Sequence, residues 1–273
     1  MKHLKHVLLL IVCLGLFNCE SESTDTPDPE KETDNTLIKR IVEEVVGEDT
    51  YTTNFTYDGN KLINIKDDDG YETRITYTDN KITRIDNLYE GEIEEYFIIS
   101  YDANGKFSSY KEFLFGVGSG GSDIAYNNTL TYNSDNTVDV EVLRGDFSSQ
   151  TTPNGTTTYT IINSNISKIE FDDVSDNYTF EYDNQKGFLK NIEGFEVFNF
   201  TNYYSEFGFE IYGGINNITK VIDTQESWPT STERYEYSYN EMGYPTSSKT
   251  YYNDDIANSN GEELISNIEY FYE

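Results

Sequence analysis

Short segments of this chain alternate apolar and hydroxyl-bearing residues, and each ends in Asp, Asn or Gly. Asn54–Ile65 runs from Phe55-Thr56-Tyr57 through Asp58-Gly59-Asn60 into a second apolar arm, and Arg74–Ile85 repeats the arrangement. Successive side chains of a β-strand point to opposite faces, so such a strand has one apolar and one polar face. Asp, Asn and Gly tolerate the positive φ angles that hairpin turns require. The pattern therefore predicts a β-hairpin.

The same incoming arm recurs along the chain as a degenerate repeat, which indicates an array of similar units. The further copies are Ile99–Tyr101, Leu130–Tyr132, Tyr159–Ile161, Phe180–Tyr182 and Tyr237–Tyr239. In the return arm, Leu62 and Ile65 are three residues apart, which puts them on opposite faces of a flat strand. Either a β-bulge restores them to one face or both faces are partly covered.

Three other stretches give separate predictions. Leu37–Val46 fits either a helical stripe or a first strand, and we favour a strand that pairs with Tyr51–Tyr57. Thr156–Phe171 and Tyr178–Glu193 are predicted as further hairpins. The aromatic run over Gly194–Gly214 predicts either a plug that covers one end of the sheet or an aromatic binding surface.

The predicted fold class is all-β. Short connections favour an up-and-down antiparallel meander of consecutive hairpins over residues 36–273, a single repetitive domain. About 15 twisted strands cannot stay flat, so the sheet is strongly curled or closed. The arms carry Lys, Arg, Asp and Glu throughout, whereas a barrel that spans a membrane needs a uniformly apolar outer band, so we expect a sheet that is not membrane-spanning.

The N-terminus has the features of an export signal. Residues 1–6 are basic and Val7–Phe17 is an apolar run, which is typical of a secretory signal peptide. Leu16-Phe17-Asn18-Cys19 resembles a bacterial lipobox, which implies a signal peptide over residues 1–18 and acylation of Cys19; the alternative is an ordinary cleaved signal with an incidental cysteine. Residues 19–35 are acidic and polar and predict a disordered tether.

Charge and residue usage exclude several kinds of chemistry. The net charge of −31 repels phosphate backbones, so we expect no nucleic-acid partner. The histidines, His3 and His6, and Cys13 lie in the predicted signal peptide. The mature chain would then lack histidine and a free thiol, which excludes His-based general bases, nucleophilic triads and His or Cys zinc sites. No catalytic residue, metal ligand or cofactor is predicted.

The chain resembles a family of uncharacterised Bacteroidetes lipoproteins. The resemblance rests on the lipobox, on hairpins such as Tyr101–Lys106 with the form Tyr-Asp-x-x-x-Lys, on the Asn216–Lys220 run and on the Tyr237–Thr246 block. It implies a porin-like, all-antiparallel β fold with YD-type repeats similar to those of Rhs shells. It also implies an outer-membrane, lipid-anchored protein on the cell surface, since Glu20 and Glu22 follow Cys19 as in surface-export signals. The family supplies no activity or site residues.

The expected function is a lipid-anchored, non-enzymatic binding or interaction module of the cell envelope. Its ligand would be a glycan or an envelope or host protein, bound through the loop aromatics Trp228, Tyr203 and Tyr204. Two alternatives stay open. Two well-placed carboxylates would suffice for a glycan hydrolase, and a structural component of envelope assembly would need no soluble ligand.

Overall fold

The computed structural model describes residues 34–172, 177–201, 214–224, 230–254 and 261–273, and they form an antiparallel sheet closed into a barrel. Each strand pairs with its neighbours in sequence, so the predicted all-β meander is confirmed. The described strands are β1 Ile38–Val45, β2 Thr50–Asp58, β3 Lys61–Asp67, β4 Tyr71–Thr78, β5 Lys81–Tyr89, β6 Glu92–Tyr101, β7 Phe107–Leu114, β8 Ile124–Tyr132, β9 Thr137–Gly145, β10 Gln150–Ile162, β11 Asn165–Phe171, β12 Asn177–Tyr182, β13 Ile218–Thr224, β14 Ser231–Tyr239, β15 Pro245–Asp254 and β16 Glu263–Tyr272. A 3₁₀ turn at Phe195–Val197 and a short helix α1, Phe198–Thr201, lie between β12 and β13.

Pairing of the first strand with the last closes the sheet. Ile38 lies opposite Tyr272 and Val45 opposite Ser266. The Leu37 amide donates to the Glu273 carbonyl at 3.3 Å, and the Glu273 amide donates back to the Leu37 carbonyl at 3.0 Å. The prediction of a strand over Leu37–Val46 is confirmed, since β1 pairs with β2 as expected. Closure removes the two free edges that an open sheet would present.

A β-bulge decides how the return arms reach the core. Tyr57 lies opposite Leu62 while Thr56 lies opposite Asn64, so Ile63 is the extra residue. Leu62 and Ile65 are both buried and Ile63 is exposed. The same register shift follows Thr76, Ser100, Thr160, Glu181 and Ser238 in later hairpins. The bulge, one of the two arrangements that the sequence left open, keeps both aliphatic residues on the inner face.

The predicted hairpin over Tyr178–Glu193 is wrong. β12 ends at Tyr182 and pairs with β13, whose first residue is Ile218. The Asp183 amide donates to the Asn217 carbonyl at 3.1 Å, so the backbone pairing continues between residues that are far apart in the chain. Residues 184–216 are therefore an insertion between two paired strands.

The two faces of the wall differ in chemistry. The interior of the barrel, here called the lumen, is packed at its core with inward-facing apolar residues such as Phe55, Ile75 and Phe97. Outward-facing residues form exposed ion pairs, among them Arg74 with Glu72 at 2.6 Å. No helix in the described ranges is long and apolar enough to cross a membrane.

Candidate functional site

The two ends of the barrel carry connections of different length. The tight hairpin turns, such as 58–61 and 78–81, gather at one end, here called the turn end. The connections 45–50, 67–71 and 114–124 lie at the opposite end, here called the loop end. Alternation of up and down strands imposes this separation, because every second connection returns to the same end.

The described part of the insertion, residues 184–201 and 214–216, covers the turn end and is here called the plug. Its apolar residues Val197, Phe198 and Phe200 are buried with the barrel core. The Tyr77 hydroxyl donates to the Glu193 carbonyl at 3.1 Å, and the Tyr110 hydroxyl donates to the Phe200 carbonyl at 2.9 Å. Of the two interpretations of the aromatic run Gly194–Gly214, the plug is correct for residues 194–201, and residues 202–213 lie outside the described residues. With the turn end covered, the described cavities of the lumen lie above the plug.

The first of these cavities has a volume of about 480 Å³ and is here called the acidic cavity. It lies between β1–β4 on one side and β13–β16 on the other, where closure brings the two halves of the chain together. It is lined by Ile41, Glu43, Tyr51, Thr53, Ile65, Asp67, Tyr71, Glu72, Thr73, Phe188, Ile218, Glu233, Tyr235, Tyr237, Thr250, Ile265, Ser266, Ile268 and Tyr270.

Tyrosine rings form one wall of the acidic cavity. Tyr235, Tyr237 and Tyr239 alternate along β14 and therefore point to the same side. The ring centroids of Tyr235 and Tyr237 are 6.4 Å apart at an interplanar angle of 20°, and those of Tyr237 and Tyr239 are 6.0 Å apart at 29°. Burial is the main cause that raises the pKa of Tyr237 well above its ordinary value, so this phenol is neutral at physiological pH.

Four carboxylates line the same cavity. They belong to Glu43, Asp67, Glu72 and Glu233, and among the described residues of the lining there is no Lys, Arg or His. Glu72 has a partner on the outer wall, Arg74, at 2.6 Å. The Tyr235 hydroxyl donates to the Glu233 carboxylate at 2.5 Å. Burial raises the pKa of the Asp67 carboxyl, against the opposing effect of hydrogen bonds from the Tyr71 and Asp69 amides. The cavity therefore combines negative charge with aromatic faces.

A second cavity of about 480 Å³ lies across the lumen, along β7–β11. It has a mixed polar lining in which Glu112 and Arg144 both take part. The Asn128 side chain also lines it, is buried, and has an Nδ2 group with no hydrogen-bond partner among the described residues. We call it the mixed cavity; its aromatic and apolar lining includes Tyr110, Leu114, Val117, Ile124, Tyr126, Val140, Val142, Tyr159 and Phe171.

A chain of buried polar side chains leads to the mixed cavity along the wall. The Thr73 hydroxyl donates to Asn87 Oδ1 at 2.8 Å, and Asn87 Nδ2 donates to Glu95 Oε2 at 2.7 Å. Glu95 in turn is hydrogen-bonded to Glu112. Burial, and then the negative charge of Glu95, raise the pKa of the Glu112 carboxyl well above its ordinary value. The two carboxyl groups therefore share a proton, because like charges in contact cannot both ionise.

The sequence-predicted site residues, Cys19, Tyr203, Tyr204 and Trp228, lie outside the described residues. Conversely, Glu95 and Glu112 were missed, although a signal existed. Glu95, Phe97 and Ile99 are two residues apart on β6 and therefore point to the same face, as Tyr110 and Glu112 do on β7. Both acids thus lie on the apolar face. Within the described ranges, no group of three or more His, Cys, Asp or Glu residues could hold a metal ion.

Comparison with known proteins shows similarity of fold. No family model and no curated protein matches this chain. A solved structure of a porin-like protein from Bacteroides vulgatus ATCC 8482 has a TM-score of 0.51 and 14% identity, and the match covers 87% of this chain and 99% of that chain. A porin-like protein from Bacteroides uniformis ATCC 8492 has a TM-score of 0.40 and 14% identity, with coverage of 86% and 96%. The porin-like fold that the resemblance implied is thereby confirmed, while lipoprotein status and kinship with YD repeats stay predictions.

Proposed function

We propose that this chain is a lipid-anchored cell-envelope protein. Its barrel has an outer wall exposed to water and binds a ligand in its lumen without catalysing a reaction. Cys19 would carry the acyl chains, residues 19–35 would form the tether and residues 36–273 the binding domain. The observation that carries the proposal is a barrel covered at its turn end whose lumen contains two cavities lined with polar and aromatic side chains. Concave sites of this kind, with a few convergent polar groups, are where proteins bind small ligands.

The outer wall supports a barrel in water. A barrel that crosses a bilayer presents an apolar band to lipid and keeps polar residues inside. Here the arrangement is reversed, because Arg84 with Asp86 and Arg234 with Glu262 form outward ion pairs at 2.5 and 2.7 Å. Charged residues at mid-barrel depth would cost several kcal/mol each in lipid, about 2–4 kcal/mol for Arg or Lys. A lipid anchor would then attach the protein to the membrane from outside.

Envelope location and repeat kinship have separate support. The lipobox-like Leu16–Cys19 follows a basic and apolar N-terminus, and the similar Bacteroides vulgatus protein is described as porin-like.

Contacts between hairpins give the Tyr-Asp-x-x-x-Lys pattern a physical meaning. Lys81 Nζ lies 4.7 Å from the ring centroid of Tyr101, and Lys106 Nζ lies 3.1 Å from that of Tyr132, so each turn lysine covers the tyrosine of the next hairpin.

Glu95 and Glu112 do not favour the alternative of a glycan hydrolase. Retaining glycosidases hold their two carboxyl groups about 5–5.5 Å apart, and inverting ones hold them farther apart, so that the sugar fits between them. A pair that shares a proton in direct contact leaves no such space.

Acylation of Cys19 is tested by growing cells with an alkyne analogue of palmitate and detecting label on the purified protein. We expect label on the wild type and none on Cys19→Ala, which should also leave the membrane fraction. Cys13→Ala is the matched control and should keep its label. Label on Cys19→Ala, or an unlabelled wild type released to the periplasm, would remove the anchor from the proposal. Protease treatment of intact cells then distinguishes surface display from the periplasmic face.

Ligand binding is tested with immobilised residues 36–273 and a panel of glycans, host proteins and small molecules. A lumen ligand should lose affinity when Tyr237 on the cavity wall is replaced by Ala, whereas a loop ligand should lose it in Trp228→Ala. Failure of the whole panel would favour the structural role in envelope assembly.

A further inference from the structure

Unbalanced charge distinguishes the acidic cavity from the mixed cavity. Glu43, Asp67, Glu72 and Glu233 line the first with no basic residue among the described lining, and of these Glu72 is neutralised from the outer wall by Arg74. In the second, Arg144 accompanies Glu112. A carboxylate taken out of bulk water is costly unless a cation or several donors accompany it. A positively charged ligand would supply that partner at the moment of binding.

Aromatic faces beside the carboxylates restrict the kind of cation. Tyr51, Tyr71, Tyr235 and Tyr237 line the same cavity. An ammonium group over a tyrosine ring within about 6 Å of its centroid gains about 0.5–2 kcal/mol. A metal ion bound by a protein needs several oxygen, nitrogen or sulfur ligands, and the described residues hold no group of three or more His, Cys, Asp or Glu that could supply them. The lining therefore fits an organic cation that buries alkyl groups against the rings.

One hydroxyl group in the cavity points independently to a ligand. Thr250 is 4% exposed, and its Oγ1 has no hydrogen-bond partner among the described residues. It lies opposite Tyr235 across β14 and β15, and opposite Ser266 on β16, both of which line the same cavity. Buried polar groups are nearly always hydrogen-bonded, and leaving one unpaired costs about 1–3 kcal/mol. A polar ligand group bound here would satisfy this hydroxyl.

We infer that the acidic cavity is a binding site for a small organic ammonium ion. The inference rests on the proposed function, in that it names the class of ligand that the lumen takes. The ammonium group lies beside the Glu233 carboxylate, its alkyl substituents pack on Tyr235 and Tyr237, and a hydroxyl or amine group reaches Thr250, which is opposite Tyr235. A volume of about 480 Å³ accommodates a molecule of the size of choline or spermidine with room for water.

Isothermal titration calorimetry of residues 36–273 with choline and with spermidine tests this site. The neutral 3,3-dimethylbutan-1-ol, which has the shape of choline, is the control ligand. We expect at least one cation to bind and the neutral alcohol to bind at least about tenfold more weakly, which corresponds to about 1.4 kcal/mol. Binding of the alcohol as tightly as choline would overturn the inference.

Substitutions on β14 distinguish a cation bound in the cavity from one bound on the outer wall. Glu233→Gln should weaken cation binding about tenfold, and Tyr237→Leu should weaken it several-fold. The matched control is Glu236→Gln, which removes the same charge from the outward face of β14, where Glu236 pairs with Arg234 at 2.7 Å. Equal affinities of the Glu233 and Glu236 variants would place the cation outside the cavity and sink the inference. Thermal melts establish that the variants fold.

Failure here and failure of the proposed function give different results. If neither cation binds while a glycan or protein from the panel does, the ammonium site is wrong and the binding function stands. If the cation binds but Cys19 carries no lipid, the site stands and the anchor falls. If neither choline nor spermidine binds at millimolar concentration, the inference is wrong.

Discussion

Tyrosine performs a repeated structural task in this barrel. The Tyr101 hydroxyl donates to the Ile82 carbonyl at 2.9 Å, and the Tyr132 hydroxyl donates to the Phe107 carbonyl at 2.9 Å. In both cases the acceptor is in the return arm of the preceding hairpin. Burial is the main cause that raises the pKa of Tyr101 and Tyr132 to about 12, so both phenols remain neutral donors at physiological pH. Each tyrosine thus fastens one hairpin to the one before it.

Tyr101→Phe tests this task at a single hydroxyl. The change leaves the ring under Lys81 and removes the bond to the Ile82 carbonyl, so we expect the free energy of unfolding to fall by about 1 kcal/mol. Urea denaturation of residues 36–273 measures it. Tyr89→Phe, at an exposed tyrosine of the loop end, is the control and should change stability by less than about 0.5 kcal/mol. Equal effects of the two would contradict the fastening role.

Glu112 gives the barrel a pH dependence whose sign follows from its raised pKa. Between the ordinary value of 4.5 and the higher folded-state pKa, the unfolded chain releases a proton that the folded chain keeps. Stability from this group is therefore full below pH 4.5 and is lost as the pH rises through the folded-state pKa.

Replacement of Glu112 by Gln should remove that dependence. The amide stays neutral and can still donate to Glu95, so we expect the variant to melt at a higher temperature than the wild type at pH 8 and to differ little from it at pH 4.5. Thermal melts across this range provide the measurement. Glu141→Gln, at an exposed glutamate on β9, is the control and should shift the melting temperature by the same amount at pH 8 and at pH 4.5. An unchanged pH profile in the Glu112 variant would show that the pair does not share a proton.

At the scale of elements, the bulged hairpin is the repeating unit of the barrel, and hydroxyl-bearing residues stabilise its bulge. The Thr83, Ser108 and Ser167 hydroxyls donate to the carbonyls of Thr76, Ser100 and Thr160 at 3.3, 3.3 and 3.1 Å. Each donor is the extra residue of its bulge. The hydroxyl thus supplies a donor where the backbone ladder is interrupted, since an unpaired carbonyl at a bulge would otherwise depend on water.

The plug has a glycine, Gly194, where it packs against β5 of the barrel. Gly194 has a φ of 76°, and a Cβ atom there would lie 3.2 Å from Ile82 Cδ1. We expect Gly194→Ala to cost about 1 kcal/mol for the left-handed backbone, with a further loss from the contact. Gly59→Ala is the matched control, because Gly59 has a φ of 64° with open space around it. If chemical denaturation gives the same loss for both, the plug does not pack tightly on Ile82.

At the scale of the whole molecule, closure between β1 and β16 holds the barrel together. This seam joins the two ends of the chain, so it forms only when all the intervening hairpins are in register. It also builds the acidic cavity, because Glu43 comes from β1 and Ser266 from β16. Loss of either strand would expose two edges and open the cavity.

A circular permutant tests the seam. A short linker from Glu273 to Thr36, with new termini at Gly120 in the exposed connection between β7 and β8, should retain a single cooperative melt within about 5 °C of the parent. Deletion of residues 263–273 should abolish the cooperative melt, because β1 and β15 each lose one of their two partner strands. Circular dichroism at 218 nm follows both. A cooperative melt in the deletion variant would show that the barrel does not need the seam.

The sequence alone determined the hairpins. Their information is local: alternation of Phe55, Thr56 and Tyr57 places one face inward, and Asp58 and Gly59 permit the turn. It left the place of Ile65 open, because the bulge at Ile63 appears only when two strands are paired. It misplaced the second arm after Tyr182, because the insertion begins with a turn sequence like the others.

The tertiary structure decided the seam, the plug and the cavities. Pairing of Ile38 with Tyr272 depends on twist and register summed over the whole sheet, which no local pattern specifies. Glu95 and Glu112 share a face with apolar neighbours in the sequence, yet only the paired strands bring their carboxyl groups into contact. Glu43 and Glu233 are far apart in the chain and line the same cavity because the barrel closes. Alternation and turn chemistry act over a few residues and so are legible in the sequence, whereas a cavity is a property of strands that curvature brings together.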